Sequence, residues 1–231
     1  MCGRFTLRTP TERWARQFAL EELPLFAPRY NMAPTQRLPV VRLSANGTRA
    51  CDELRWGFIP SWSAGEKHRA PLINARAESI AEKPSFRDAV HFRRCLIPAD
   101  GFYEWEQDGR QRQPYFVSRR DDRPFAFAGL WESWRPPEGG PAIETFVIVT
   151  TEANALLSRF HDGRMPVMLQ GDHGERWLFE ESRHAEDLIP LLGAYPEEEL
   201  TCVRVSARVN SVRHDDPSCL EAPLRTQTLF D

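Results

Sequence analysis

The sequence is almost free of lysine. Of its 30 basic residues only Lys67 and Lys83 are lysines, and the others are arginines. Arginine suits bidentate contacts with phosphate groups, but a GC-rich coding sequence would favour arginine codons and explains the excess equally well. The formal net charge is -3, so no overall basic surface indicates nucleic acid as a partner.

Metal-binding and membrane-spanning patterns are also missing. The five cysteines form no CxxC pair, and no histidine cluster has the spacing of a metal site. No apolar run approaches the ~20 residues of a membrane span, and no signal-peptide pattern opens the chain. We therefore expect a cytoplasmic, monomeric protein with no metal, no cofactor and no membrane partner.

The composition and the turn signals predict a folded chain rich in strands. Hydrophobic residues make up 41% of the chain, which is enough for a packed core. Asn46-Gly47 and Asp108-Gly109 predict two β-hairpins. We expect one α+β domain over residues 1–231, built around a strongly bent, barrel-like, mainly antiparallel sheet with a few flanking helices.

Three further elements are predicted from local patterns. A helix should run from Pro10 to about Leu20, with Thr9 as its N-cap. A second helix should run from about Glu152 to Phe160. Alternating apolar residues predict a late strand over Val203 to Val209.

The first five residues, Met1-Cys2-Gly3-Arg4-Phe5, carry the most chemistry. Cysteine is small enough for Met1 to be removed, which leaves an α-amine and a thiol two bonds apart on Cys2. Their ordinary pKa values are about 7.7–8.0 and about 8.5, so both groups are partly nucleophilic near neutral pH. An aldehyde can form a Schiff base with the amine, and the thiol can then close a thiazolidine ring. The alternative is a disordered terminus with an incidental cysteine.

Such a terminus needs groups that move protons and orient the reactants. Glu104 lies between two aromatic residues, where partial burial favours an acid/base role. His161 follows a predicted helix, where the imidazolium is favoured. Asn74 is an uncharged candidate for holding the Cys2 amine. A solvated strand end, a helix cap and a satisfied turn are the respective structural alternatives.

Several residues are candidates for contacts with a nucleic-acid strand. Arginines can clamp phosphates, tryptophans can stack on bases, and a proline can wedge between bases. Ordinary core packing is the alternative for each aromatic residue. The candidates are Arg4, Pro34, Trp62, Arg76, Trp105 and Arg164.

Taken together, these motifs resemble the SRAP family, the SOS-response-associated abasic-site-processing proteins. The similar segments appear in the family's order and cover Cys2 to about Leu169, and residues 170–231 resemble it more loosely. The segments are residues 1–5, 30–34, 56–62, 71–78, 94–105 and 161–169.

The resemblance implies a compact fold with a positively lined channel for single-stranded DNA. It implies that mature Cys2 traps the aldehyde of an abasic site, with Asn74, Glu104 and His161 at the family's active-site positions. It also places Arg4, Asn31, Pro34, Trp62, Arg76, Trp105 and Arg164 on or beside DNA-contacting positions.

The chain departs from the family at one place. The family usually reads His-x-Arg-x-Pro, whereas this chain has His161-Asp162-Gly163-Arg164-Met165-Pro166. Gly163 is the plausible extra residue, and a left-handed conformation there would absorb the insertion.

The function predicted from the sequence is therefore an abasic-site sensor that forms a covalent thiazolidine link through Cys2. Lyase activity and Glu104-assisted reversal are expected side branches. The prediction requires an exposed aminothiol near Glu104 and His161, in a groove that admits single-stranded DNA. Two alternatives are a hydrolase with an N-terminal cysteine, such as a glutamine amidotransferase or a peptidase, and a non-covalent single-strand binding module.

Overall fold

The computed structural model describes most of the chain and contains two β-sheets with short helices around them. The described residues are 2–64, 71–109, 111–160, 163–169, 171–179 and 185–223.

Twelve strands occur among these residues. In chain order they are β1 (Phe5–Leu7), β2 (Arg29–Met32), β3 (Arg37–Leu43), β4 (Arg49–Trp56), β5 (Asn74–Arg76), β6 (Arg94–Ala99), β7 (Gly101–Asp108), β8 (Gln111–Arg119), β9 (Phe125–Trp134), β10 (Ile143–Glu152), β11 (Arg164–Pro166) and β12 (Leu200–Arg204).

The helices in the described part of the chain are short. The α-helices are α1 (Thr11–Gln17), α2 (Arg87–Phe92) and α3 (His173–Phe179). The 3₁₀ helices are Ala77–Ser79, Ala185–Leu192, Glu197–Glu199, Ala207–Asn210 and Pro217–Leu220. No helix among the described residues has both the length and the apolar character needed to cross a membrane.

One sheet closes on itself. Its strands follow the order β10-β4-β3-β6-β9, and β9 pairs again with β10, which completes a five-stranded ring. β5 and β11 add to β10 outside the ring, and the β4 and β5 pairings with β10 are parallel. The predicted α+β class with a barrel-like, mainly antiparallel sheet is confirmed.

The second sheet is antiparallel and has the order β12-β8-β7-β1-β2. Its short strand β1 lies between β2 and β7, with Phe5 opposite Met32 on one side and Phe102 on the other. The Phe5 ring packs edge-on against Trp56 at 5.2 Å and Phe127 at 5.7 Å, between ring centroids. The beginning of the chain is therefore fixed between the two sheets.

Both predicted hairpins are present. Gly47 connects β3 to β4 with a φ of +78°, and Gly109 connects β7 to β8 with a φ of +58°. These are left-handed conformations that glycine adopts without a steric cost. Because each turn is encoded by two adjacent residues, local sequence was sufficient to predict it.

The first predicted helix is shorter than expected and lacks the predicted cap. It begins at Thr11, and no side chain caps it. The Thr9 hydroxyl donates instead to Asp100 at 2.7 Å. The Asp100 carboxylate, which is distant in sequence, therefore binds the Thr9 side chain that the local pattern assigned to the helix N-cap.

The second predicted helix does not form, and the late strand spans Leu200–Arg204 rather than Val203 to Val209. Residues 153–160 form turns rather than a helix, because Asn154 Oδ1 accepts from the Leu157 amide and its amide group donates to the Tyr195 carbonyl. Asparagine bonds of this kind compete with helix formation. The late strand ends at Arg204, and Ser206 then caps the 3₁₀ helix Ala207–Asn210.

Close packing between the β6–β7 junction and β8 can be tested at Gly101. A Cβ atom at Gly101 would lie 2.6 Å from the Val117 carbonyl oxygen and against the Phe116 ring. We expect Gly101→Ala to lower the free energy of unfolding by about 1–3 kcal/mol, because backbone must move to admit the methyl group. Urea denaturation measures the change.

Gly174→Ala is the matched control, since a Cβ atom at Gly174 in α3 meets no atom within 4 Å. This substitution should leave stability unchanged or raise it slightly, because alanine favours helix. Equal stability of the two variants would contradict the described packing at Gly101.

Candidate active site

Cys2 lies inside the protein, three residues before the start of β1. Its side chain is fully buried, and its Sγ is 3.9 Å from the Arg4 carbonyl oxygen. Burial, and next the negative charge of Glu104, raise the pKa of the Cys2 thiol. The expectation of an exposed aminothiol is therefore wrong for the thiol, because the pairing of β1 on both edges draws the terminus into the core.

Glu104 is the carboxylate whose negative charge raises the pKa of the Cys2 thiol. It lies on β7, opposite Tyr115 of β8, and is only 2% exposed. The adjacent Tyr103 amide donates to the Arg4 carbonyl at 3.0 Å, which ties β7 to the beginning of the chain. The two sequence candidates Cys2 and Glu104 are thus brought together by strand pairing.

Asn74 is the third predicted residue near Cys2. It begins β5, which runs parallel to β10, and its Nδ2 donates to the Cys2 carbonyl at 2.9 Å. Its Oδ1 is buried and has no hydrogen-bond partner among the described residues. Asn74 therefore fixes the Cys2 backbone and keeps one acceptor available for another donor.

His161 was predicted as the fourth residue of the site, but it lies outside the described residues. The turn that follows is described from Gly163, whose φ of +57° is the left-handed conformation proposed for the extra residue. The Gly163 amide donates to the Phe160 carbonyl at 3.2 Å.

A groove of about 490 Å³ opens beside this cluster. Three of its lining residues, Arg4, Glu104 and Trp105, were candidates from the sequence. Gly3, the residue next to Cys2, also lines the groove. The groove is also lined by Gln107, Arg112 and Asn210, which sequence reasoning missed.

A signal for two of the missed residues was present in the sequence. The Asp108-Gly109 turn sets the register of its hairpin, in which Gln107 lies opposite Arg112. Extending the predicted hairpin by one pair therefore leads to both residues. Asn210 had no such signal, because it reaches the groove from a segment more than a hundred residues away in sequence.

The groove residues Arg4 and Trp105 are held by the C-terminal part of the chain. Arg4 Nη1 donates to Asn31 Oδ1 and to the Val209 carbonyl, both at 2.8 Å. Burial lowers the pKa of the Arg4 guanidinium. Trp105 Nε1 donates to Asn210 Oδ1 at 2.7 Å. Both side chains are therefore positioned before any ligand arrives.

Asn31 was also predicted to contact DNA, and its side chain makes several bonds within the protein. Its side chain is fully buried, and its Nδ2 donates to the carbonyls of Val209, Ser211 and His214. Asn31 therefore anchors the C-terminal segment and orients Arg4, and its contact with DNA stays a prediction.

Four other predicted contact residues do not line this groove. Trp62 is 58% exposed, and Pro34 is half-buried in the turn before β3. Arg76 ends β5 and is exposed, whereas Arg164 on β11 pairs with Glu78. DNA contacts by these four residues stay predictions.

Metal ligands are not grouped in the described part of the chain. No cluster of three or more histidine, cysteine, aspartate or glutamate side chains there has an arrangement that could hold a metal ion. The chemistry of the described cluster is that of a thiol, a carboxylate and an amide.

Comparisons with known proteins agree on one family. The family model described as "SOS response associated peptidase (SRAP)" matches residues 1–212. The abasic site processing protein YoqW of Bacillus subtilis is 39% identical over 226 residues, which covers 96% of this chain and 100% of that protein. The abasic site processing protein HMCES of Gallus gallus is 34% identical, with 84% of this chain and 66% of that protein covered.

A solved structure has the same fold. A crystal structure of a protein from Bacteroides thetaiotaomicron superposes with a TM-score of 0.84 at 26% identity. The match covers 96% of this chain and 100% of the other chain.

The raised thiol pKa predicts slow alkylation of Cys2. Thiolate is the reactive form, and each unit of pKa shift lowers its population about tenfold. At pH 8, iodoacetamide should modify Cys2 at least ~10-fold more slowly in the native protein than in the urea-unfolded chain. Mass spectrometry of the N-terminal peptide measures this rate separately from the other cysteines.

Glu104→Gln should speed the native reaction, because iodoacetamide alkylation follows the population of thiolate, which the Glu104 charge lowers by raising the pKa of the Cys2 thiol. Glu106→Gln is the control, because Glu106 lies on the same strand and bonds Tyr115. Native alkylation as fast as in the unfolded chain would contradict the burial of Cys2.

Proposed function

The chain belongs to the SRAP family, and on that premise we propose that it processes abasic sites in single-stranded DNA through a covalent link to Cys2. Similar proteins are named for abasic site processing. The observation that carries the proposal is the position of Cys2, beside Glu104 and at the edge of a groove lined by Arg4 and Trp105.

The nucleophile forms when the Met1–Cys2 peptide bond is hydrolysed, either by an aminopeptidase or by the chain itself. The new α-amine is then the end of a chain that β1 fixes on both edges. An amine held in place loses little freedom when it reacts, which lowers the entropic part of the barrier.

The reaction proceeds in three steps. The Cys2 amine adds to the C1′ aldehyde of the ring-opened abasic deoxyribose and gives a carbinolamine. Loss of water leaves a Schiff base. The Cys2 sulfur then adds to the imine carbon while the thiol proton moves to the nitrogen, which closes the thiazolidine with a net loss of one water.

The raised pKa of the Cys2 thiol makes a base necessary for the last step. A neutral buried thiol is a poor nucleophile, because the thiolate is the reactive form. Glu104 is the carboxylate close enough to raise that pKa, so it is the group positioned to take the thiol proton. The same carboxyl group can protonate the carbinolamine oxygen as water leaves.

Asn74 and His161 complete the proposed site. The buried Oδ1 of Asn74 accepts a hydrogen bond from the new α-amine. This bond orients the amine so that the lone pair of its nitrogen faces the groove. His161 is assigned by resemblance to stabilise developing charge or protonate a leaving oxygen.

The scarcity of lysine bears on this chemistry. Lys67 and Lys83 supply the only side-chain amines in the sequence, so a mature chain has three primary amines in all. Competing Schiff bases are therefore few, and their contribution can be removed by two substitutions.

The Schiff base also has two exits besides ring closure. Removal of a C2′ proton expels the 3′ phosphate by β-elimination, which is lyase activity. Addition of water to the imine, with Glu104 as acid and base, returns the aldehyde and free protein. Ring opening of the thiazolidine regenerates the Schiff base and so makes this exit available after the link has formed.

Binding of the strand itself should not depend on base sequence. Arg4 and Arg112 offer charge to phosphates, and the Trp105 ring offers a stacking surface. Such contacts release counterions, so affinity should fall as salt rises. Selection of the abasic residue then rests on the exposed aldehyde, which an intact nucleotide lacks.

Incubation with a uracil-containing single strand treated with uracil glycosylase tests the proposal. The mature protein should give a denaturant-resistant band. Cys2→Ala should abolish this band, because alanine has no thiol and the thiazolidine ring cannot close. Glu104→Gln should slow its formation by about 10²-fold or more, the usual contribution of a general base.

Lys67→Arg/Lys83→Arg is the control, since it leaves the α-amine as the only primary amine. This variant should crosslink like the wild type. Binding of the strand without any resistant band would instead favour a non-covalent single-strand binding module.

A further inference from the structure

Three charged residues that do not line the groove form a cluster beyond Asn74 of β5. Arg76 ends β5, Glu78 follows in the 3₁₀ helix Ala77–Ser79, and Arg164 begins β11. Because Asn74 holds the Cys2 carbonyl, this cluster is tied to the candidate active site through β5.

Glu78 and Arg164 meet in a two-pronged ion pair. Arg164 Nη1 is 3.1 Å from Glu78 Oε1, and Nη2 is 2.9 Å from Oε2. The Arg164 side chain is 11% exposed, whereas the Glu78 side chain is 47% exposed. Partial burial opposes ionisation of Glu78, but hydrogen bonds from Arg164 and the charge of Arg76 keep its pKa below the ordinary value.

This is also the geometry in which arginine binds a phosphodiester. Two parallel N–H groups meet two oxygens that share one negative charge, for a carboxylate and a phosphate alike. Glu78 therefore occupies the donors that a DNA phosphate would need at Arg164. Arg76 is exposed beside it and makes no ion pair among the described residues.

Resting on the proposed function, we propose that Glu78 sets the affinity for the DNA strand by acting as an internal phosphate mimic. A phosphodiester reaches Arg164 only when the Glu78 carboxylate gives way. Intact strands are then held weakly and released, while an abasic strand is retained by its covalent link to Cys2.

The opposite role, in which Glu78 orients Arg164 for the strand, is less consistent with the contacts. Arg164 Nη2 also donates to the Thr150 carbonyl at 2.7 Å, and β11 pairs with β10 through Glu152 opposite Arg164. The guanidinium thus keeps its position without the Glu78 charge. The two roles predict opposite changes in affinity when that charge is removed.

Glu78→Gln tests the proposal, with fluorescence anisotropy of an intact single-stranded oligonucleotide as the readout over a salt series. A partly exposed ion pair contributes about 0.2–1 kcal/mol, so its loss should tighten binding by about 1.4- to 5-fold. One added phosphate contact should make the slope of log affinity against log salt more negative by about 0.7.

Glu82→Gln is the matched control. It removes the same charge from an exposed residue four positions along the chain, which forms no ion pair with Arg164. Its affinity should change by less than half as much. In the double variant Glu78→Gln/Arg164→Gln the gain should vanish, because the donors that Glu78 released are gone.

Binding by Glu78→Gln that is weaker than the wild type, or no tighter than Glu82→Gln, overturns the phosphate-mimic role. A wild type that binds and crosslinks while Glu78→Gln shows no gain leaves the proposed function standing without this inference. A wild type that neither binds single strands nor forms the crosslink contradicts both the proposed function and the phosphate-mimic role of Glu78. Thermal unfolding of each variant identifies any loss of fold.

Discussion

The pairing of β1 on both of its edges is the constraint on which the site depends. Chain termini usually fray, but here a three-residue strand is inserted between β2 and β7, and the Phe5 ring is packed against Trp56. Cys2 is consequently buried at the junction of the sheets. A nucleophile fixed in this way is preorganised by the fold rather than by the ligand.

Burial of Cys2 has a chemical cost that the same fold offsets. Taking the thiol out of water raises its pKa and so lowers its reactivity. Strand β7 brings a buried carboxylate, Glu104, alongside it. A thiol that needs a base suits a reaction in which the amine attacks first and the sulfur follows.

Local sequence was enough to predict features that two or three neighbouring residues decide. The turns at Gly47 and Gly109 follow from their Asn-Gly and Asp-Gly pairs, and the left-handed Gly163 follows from the insertion. The residue types near Cys2 also indicated a reactive site. A reacting aminothiol needs a carboxylate to move protons and an amide to hold the amine. The resemblance to a family added their assembly into one site.

Features that depend on distant residues were not predictable in this way. β1 is too short for a periodic pattern, so the burial of Cys2 was missed. The bonds from the Asn31 side chain to three carbonyls of the C-terminal segment were also missed, because that segment is distant in sequence. Asn210 belongs to the groove only because that segment folds back across Arg4.

Tandem mass spectrometry of the tryptic N-terminal peptide from a purified crosslink tests the central claim most directly. The peptide should begin at Cys2 and end at Arg4, carry one abasic residue with the loss of one water, and have neither a primary amine nor an alkylatable thiol. An adduct on another residue, or a crosslinked peptide that still begins with Met1, would contradict it.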